Sequence, residues 1–430
     1  MSCVRSSRSD RSQPPPRSLW RDGDFRRLWA GQTASQFGEQ SAQTVLPLVA
    51  VLTLGAGAEQ LGALRAVEQA PILLCSLLVG AWVDRRRTRT VMVPADLGRA
   101  AALALVPVAG LLRVLGMPVL FSVALVVGVL SVFFGVACQA SLVRLVPRDR
   151  LVRGTVALEG SRSAAQLGGP ALGGGLVSLL SAPVAVLAAA LCFALSSLSV
   201  QRIRRAETVP PAAAGEVRTG RQIREGLRFV AADPVLRTVA VCSAAFQFSF
   251  AALMTVYLLF LPRALHLSGA QVGLVFAAMG PGALAGSVLA AWLPGRLGYG
   301  LVLVASAALG DGLALWLPAL HGSAAVTVPL LMAGSLVFGA CGQLVDVTVT
   351  AVRQAVTPVR IQGRVVATLN FVGLGLTPLG SLLGGWLAGQ WGLRTALLVA
   401  AAGQLLSPLI MSLSPLGRLG RSLPSPGQDG

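Results

Sequence analysis

Four polar side chains near the start of the chain share one face of a predicted helix. Gln32, Gln36, Glu39 and Gln43 are spaced four, three and four residues apart, which aligns them on a helix of 3.6 residues per turn. A carboxylate flanked by amides can take up a proton or hold a cation, and the amides can hydrogen-bond the neutral acid. Glu39 is therefore our first candidate for proton binding. The alternative is a glutamate that is neutralised by hydrogen bonds between helices and has no further role.

Other ionisable residues also fall inside apolar segments. Asp346 follows Gln343 by three residues, and it is our second candidate for proton binding. Asp311 is as consistent with packing or with a lipid-interface position as with binding. Arg65 and Glu68 lie near the end of a segment, where snorkelling of the arginine explains them.

Two further acid–base pairs have the i,i+3 spacing that lets side chains meet on a helix. They are Asp96 with Arg99 and Glu159 with Arg162. Both pairs are predicted to lie within ~9–14 Å of the arginine-rich ends of their segments, and we interpret them as parts of an inner gate network around Asp84.

One apolar segment is rich in aromatic residues, with Phe246, Phe248, Phe250 and Tyr257 within twelve positions. Aromatic faces can stack a hydrophobic or cationic molecule, although core packing is the alternative. The residues that we expect to line a substrate cavity are Gln32, Gln36, Gln43, Phe246 and Gln343.

The composition requires a membrane around these residues. Of 430 residues, 54% are apolar and only 12% are charged, whereas soluble domains carry about 25% charged residues. The mean hydropathy is +0.72. A charge at the bilayer centre costs ~2.5–3.5 kcal/mol even on the mildest scale, so ionisable residues there indicate function.

Twelve segments are apolar and long enough to cross a bilayer, for which about 20 residues are needed. They are 28–54, 61–83, 90–112, 118–143, 151–177, 182–201, 238–261, 270–293, 300–318, 325–352, 363–387 and 393–413. We therefore predict an all-α integral membrane protein with twelve transmembrane helices.

The arginines are distributed unequally between the two sides of these segments. All 35 basic residues are arginine; 29 lie in the terminal tails and loops of one side, here the Arg-rich end, and three in the loops of the other, the Arg-poor end. The positive-inside rule predicts that the Arg-rich end and both termini face the cytosol. We expect the protein in the plasma or inner membrane. The net charge of +18 is then explained by anionic lipid rather than by nucleic acid.

The longest polar break divides the chain into two six-helix bundles with a pseudo-symmetric repeat. The stretch from Val143 to Gly175 resembles the stretch from Val352 to Gly385, and such repeats build one class of transporter. Within the break, alternating apolar and arginine residues predict an amphipathic helix on the membrane surface. The predicted parts are a cytosolic tail at 1–27, bundles at 28–201 and 238–413, a cytosolic linker at 202–237 and a cytosolic tail at 414–430.

The loop after the second segment reads Gly80-Ala-Trp-Val-Asp84-Arg85-Arg-Arg-Thr-Arg89. It resembles the signature between helices two and three of the major facilitator superfamily, with Arg87 where that family has glycine and Thr88 where it has a basic residue. The resemblance implies that Gly80, Asp84, Arg85 and Arg89 form a latch between conformations. An ordinary positive-inside loop is the alternative.

The fifth segment carries Gly169-Pro170-Ala-Leu-Gly173-Gly174. This stretch resembles the core of the antiporter motif of the same family, without the earlier glycines of that motif. Glycine and proline within a span permit close helix packing and bending. Gly169, Pro170 and Gly173 are therefore predicted to belong to a gate, and simple packing is the alternative.

Further short matches extend the resemblance from about residue 25 to residue 413, including Phe25-Arg-Arg-Leu-Trp29 and Leu158-Glu-Gly-Ser-Arg162. They are similar to the enterobactin-exporter-like and macrolide-efflux-like branch of the superfamily. The resemblance implies alternating access and proton-driven export of a drug, antibiotic or siderophore.

We expect a monomer whose partners are a small-molecule substrate, protons and the lipid bilayer, with no cofactor, no metal and no nucleic acid. Proton-coupled uptake and a non-transporting sensor or scaffold stay open as alternatives. An enzyme is not expected, because both histidines, His266 and His321, lie in predicted loops and no H-E-x-x-H or G-x-S-x-G motif occurs.

Overall fold

The part of the chain that the computed structural model describes is helical and contains no strand. It comprises residues 19–83, 86–147, 150–180, 182–205, 227–357 and 362–421.

The first half of the described chain folds into six long helices. They are α1 (Gly23–Leu52), α2 (Ala58–Val83), α3 (Thr88–Leu111), α4 (Met117–Leu145), α5 (Leu151–Leu179) and α6 (Ala182–Gln201). Asp22 caps α1 by accepting hydrogen bonds from the backbone N–H groups of Asp24 and Phe25. The helix ends lie within five residues of the predicted segment ends, with the largest difference at the start of α1.

The second half has more breaks within its helices. Its helices are α7 (Pro234–Arg263), α8 (Gly269–Ala277), α9 (Met279–Ala290), α10 (Leu293–Leu297), α11 (Tyr299–Gly312), α12 (Ala324–Val356), α13 (Gln362–Gly375), α14 (Thr377–Gln404) and α15 (Leu406–Leu413). Short 3-10 helices follow α11 at Leu313–Ala319 and α15 at Pro415–Arg418. Asp233 caps α7, and Ser268 with Gln271 forms a capping box on α8.

In the described residues, eight helical stretches are long and apolar enough to cross a membrane. One of them, Thr368–Leu413, has 46 residues, which at the helical rise would extend ~69 Å, more than twice the hydrocarbon core. Gly392, with a φ of 79°, breaks the helix inside this stretch. Helices α1, α2 and α5 have 30, 26 and 29 residues but carry the charged side chains noted above. The total of twelve spans stays a prediction.

Two close helix crossings join the halves near the Arg-poor end. On α2, a β-carbon at Gly62 would lie 2.9 Å from the Cα of Gly385 on α14. On α5, a β-carbon at Gly174 would lie 2.4 Å from the Cα of Gly273 on α8. Only glycine permits such an approach of two backbones. Arg263 adds a hydrogen bond of 2.9 Å to the carbonyl oxygen of Gly55.

The buried apolar core has a different arrangement at the two ends. One continuous cluster contains Leu61 of the first half and Val256 of the second, on the side of the glycine crossings. At the Arg-rich end the core is divided into separate clusters, one in the first half around Phe134 and one in the second half around Leu236. The halves are therefore packed together at the Arg-poor end and separate towards the Arg-rich end.

The predicted linker helix falls mainly outside the described residues. Residues 227–232 are helical, and Val230 is buried in the cluster around Leu236. At the other end of the linker, the Asp24 carboxylate accepts hydrogen bonds of 3.0 Å from the backbone N–H groups of Arg204 and Arg205.

The α5–α8 crossing gives a first testable prediction. Gly174→Val is expected to weaken the contact between the halves, because the added side chain would collide with the backbone of Gly273. Spin labels at Gly57 and Ala325, in a protein whose native cysteines have been replaced, should report a new, longer-distance component. Gly135→Val is the matched control, since a β-carbon there has no neighbour within 4 Å. An unchanged distance distribution in the Gly174 variant would contradict the role assigned to this crossing.

Candidate functional site

A cavity of about 440 Å³ lies between α5 of the first half and α7, α11, α12 and α13 of the second half. It extends from Phe338 and Asp311 in the middle of the molecule to Arg353 and Arg162, which are closer to the Arg-rich end. Asp346, which lies between these groups on α12, also lines it. The cavity is large enough for a small molecule.

Aromatic rings cover part of the cavity wall. Phe246 and Phe250 stack with their centroids 5.4 Å apart, and Phe250 stacks on Phe338 at 5.8 Å. Tyr257, three turns beyond Phe246 on α7, instead lines a separate apolar pocket of about 60 Å³. This pocket and the large cavity share Phe338 as a wall.

Arg99 is the centre of a buried charge cluster in the first half. Its side chain is fully buried, and it contacts the equally buried carboxylate of Asp96. Its Nη1 lies 3.7 Å from Oε2 of Glu39 on α1 and donates to Oγ of Ser131 at 3.1 Å. Its Nη2 donates to Oγ of Ser35 at 2.9 Å.

The guanidinium of Arg99 is also enclosed by two aromatic rings. It lies 4.6 Å from the ring centroid of Phe134 and 4.2 Å from that of Phe193, which is within the range of cation–π attraction. The cluster therefore connects α1, α3, α4 and α6. The sequence placed Asp96 and Arg99 with the latch loop, and their partner on α1 was not foreseen.

Glu39 also lines a second, smaller cavity of about 70 Å³. Arg65 and Glu68 of α2 line the same cavity, together with Gln43 and Ser131. Snorkelling of Arg65 towards the membrane surface was therefore the wrong interpretation, since its side chain lines this internal cavity. The carboxylate of Glu39 has a side-chain exposure of 24%, so it is accessible from this cavity.

The three glutamines on the polar face of α1 have different surroundings. Oε1 of Gln32 accepts a hydrogen bond of 2.7 Å from Sγ of Cys138 on α4. Gln43 is exposed and lines the small cavity, whereas Gln36 is half-buried. Gln343 is likewise half-buried, three residues before Asp346.

On α5, the predicted gate residues contact α1. Oγ of Ser41 donates to the carbonyl oxygen of Gly169 at 3.1 Å, and a β-carbon at Gly173 would lie 3.2 Å from the carbonyl oxygen of Ser41. Pro170 is half-buried between these glycines. Gly174, next to Gly173, makes the crossing to α8.

Glu159 and Arg162, also on α5, form a loose ion pair with an N–O distance of 3.9 Å. Their side chains are 58% and 48% exposed. Arg162 lines the large cavity, which brings this pair to the opening between the halves.

The predicted latch is only partly described. Asp84 and Arg85 lie outside the described residues, and Gly80 belongs to α2 three positions before its end at Val83. Nη1 of Arg89 donates to the carbonyl oxygen of Ile203 at 2.9 Å, which ties the start of α3 to the end of α6.

The described residues contain no group of three His, Cys, Asp or Glu side chains that could hold a metal ion. The charged groups around the two cavities are carboxylates and arginines. Such groups can bind protons and charged organic molecules.

The sequence model of the transmembrane secretion effector family matches residues 16–424. The multidrug efflux pump Tap of Mycolicibacterium fortuitum is 27% identical over 362 residues, 80% of this chain and 84% of the relative. The MFS-type transporter y4rN of Sinorhizobium fredii is 27% identical over 321 residues, 73% of this chain and 76% of the relative.

Among solved structures, a bacterial homologue of the iron transporter ferroportin in an inward-facing state has a TM-score of 0.71 and 18% identity. The match covers 92% of this chain and 98% of that chain. The two molecules share a fold, and the predicted all-α transporter fold is thereby confirmed.

Proposed function

The chain belongs to the transmembrane secretion effector family of the major facilitator superfamily, and from this premise we propose that it exports a hydrophobic or amphipathic small molecule in exchange for protons. It is a multi-pass membrane transporter and not an enzyme. A drug, an antibiotic or a siderophore are the proposed substrate types, and the similarity to a multidrug efflux pump supports export.

The large cavity is the observation that carries this proposal. It lies between two halves that are packed together at the Arg-poor end and separate at the Arg-rich end. With the Arg-rich end and both termini in the cytosol, the cavity faces the side from which an exporter loads its substrate. Alternating access requires the second arrangement, in which the glycine crossings open and the Arg-rich ends close.

Glu39 is the proposed site of proton coupling. Arg99 is shared between Glu39 and Asp96, so a proton on Glu39 removes one of the two negative charges that hold the guanidinium. Arg99 then interacts with Asp96 alone, and the contact between α1 and α3 changes. Because α1 also packs on the glycines of α5, this change reaches the helix that crosses to the second half. Asp346 is the second candidate.

The same proposal includes the two six-helix halves, the linker at 202–237 and the latch loop. Asp84 and Arg85 act on the conformational equilibrium from the cytosolic end, close to Arg89 in the sequence. Glu159 and Arg162 lie at the opening of the cavity and form part of the gate.

Transport by the purified protein in proteoliposomes with an acidic interior tests this function. We expect at least one compound from a panel of siderophores, macrolides and lipophilic cations to accumulate inside as protons leave. A protonophore should abolish the accumulation. Proton-coupled uptake predicts movement in the opposite direction under this gradient, and a sensor or scaffold predicts no movement. Either result would overturn the proposal.

A further inference from the structure

Asp311 occupies an unusual position in the large cavity. It lies twelve residues after Tyr299, the first residue of α11, which is ~18 Å along the helix from its Arg-rich end. Its exposed fraction is only 4%, and it lines the cavity together with Ser306 and Gly310 of the same helix. The carboxylate therefore lies near the middle of the membrane and is reached from the cavity rather than from lipid.

Asp311 has no compensating cation among the described residues. It forms neither an ion pair nor a side-chain hydrogen bond with any of them. The other carboxylate of the cavity differs, since Asp346 interacts electrostatically with Arg353 and Arg162. The titratable neighbour of Asp311 on the facing helix α12 is Cys341, which brings no positive charge. An isolated buried carboxylate is costly, and a bound cation would remove that cost.

The surroundings of Asp311 are apolar and aromatic. Gly310, its neighbour in sequence, and Phe338 each line both the large cavity and the apolar pocket beyond it. Phe276 and Trp316 contribute rings to that pocket. A ligand whose charge lies at Asp311 could thus place an apolar group against Phe338 or into the pocket. Aromatic faces also attract organic cations.

We propose that Asp311 anchors an amphipathic organic cation in the large cavity, with the charged group of the ligand at the carboxylate and its apolar group towards Phe338. This inference rests on the proposed function, because it names the class of substrate that the same cavity takes. It assigns to α11 a binding residue, where the sequence left packing and a lipid-interface position open.

Binding to the purified full-length protein in detergent tests this inference. The probes are tetraphenylphosphonium and its neutral relative triphenylphosphine oxide. Asp311→Asn should weaken binding of the cation by about tenfold or more, the range expected for loss of a charged partner. Binding of the neutral probe should be retained, which also shows that the cavity is intact. Asp311→Glu should restore most of the affinity for the cation.

Glu59→Gln is the matched control, since it removes the same charge from an exposed position on α2, and it should leave binding of both probes unchanged. Three results would overturn the inference. The first is that the wild-type protein does not bind the cation, and the second is that Asp311→Asn binds it with wild-type affinity. The third is that Asp311→Asn loses binding of both probes equally.

The binding assay uses no gradient, so it separates this inference from the proposed function. Binding that depends on Asp311, without any transport in proteoliposomes, would reject export and keep the cation site. Export together with unaltered cation binding in Asp311→Asn would keep export and reject the site.

Discussion

Glu39→Gln is expected to abolish accumulation of substrate in acidic-interior proteoliposomes, to the level of protein-free liposomes, while substrate exchange without a gradient continues. The glutamine preserves the shape of the side chain but cannot exchange a proton. It also imitates the protonated acid, so Arg99 interacts with Asp96 alone. The cycle can then exchange substrate without being driven by protons. Accumulation and counterflow of the same substrate are the two measurements.

Two comparisons make this result specific. Glu59→Gln removes a carboxylate from an exposed position and should accumulate substrate as the wild type does. If Glu39→Gln still accumulates substrate against its gradient with unchanged proton stoichiometry, Glu39 is not the coupling site. The same assay on Asp346→Asn would then test the second candidate.

Arg99→Met is expected to have the largest effect on stability. The guanidinium is fully buried among Asp96, Glu39, two serine hydroxyls and two aromatic rings. Its removal leaves the buried carboxylate of Asp96 without compensation, a change that costs about 3–5 kcal/mol when one partner of a buried ion pair is lost. Denaturant unfolding in detergent micelles, followed by circular dichroism, measures the change in the free energy of unfolding.

A second substitution distinguishes charge from packing. Adding Asp96→Asn to Arg99→Met removes the uncompensated charge, and we expect it to restore most of the lost free energy. Arg237→Met, at an exposed position on α7, is the control for loss of an arginine and should be close to neutral. An Arg99→Met protein as stable as the wild type would show that the cluster does not hold the first half together.

The sequence predicted individual helices well, because hydrophobic length and helical periodicity are local properties. It predicted that Glu39 lies on a polar face of α1 and that Asp96 and Arg99 can meet on α3. It did not predict that these two sets meet, since the rotation of α1 relative to α3 depends on packing that a single chain segment does not encode. One signal was available: an arginine deep in a span needs an acid, and Glu39 and Glu68 are the carboxylates inside the two preceding predicted segments.

The sequence also did not predict the surroundings of Arg65 and Asp311. Arg65 was assigned to the membrane surface because it lies near the end of a segment, yet α2 starts earlier, at Ala58, and the side chain points towards the cavity at Glu39. For Asp311 the sequence left packing, a lipid-interface position and binding open. Its face of α11 also carries Ser306, Ala307 and Gly310, and this small-residue face was a local sign of an adjoining cavity.

The burial of Arg99 also bears on the order in which the chain is made and inserted. An arginine at this depth opposes the transfer of α3 from the translocon into lipid by ~2.5–3.5 kcal/mol. Asp96 on the same helix, and Ser35 and Glu39 on α1, are synthesised before it, whereas Ser131 and Phe134 follow on α4. We therefore expect α1 to remain beside the translocon until α3 is inserted and to pack against it there. Biogenesis of the first half then depends on insertion of a helix pair rather than of single spans.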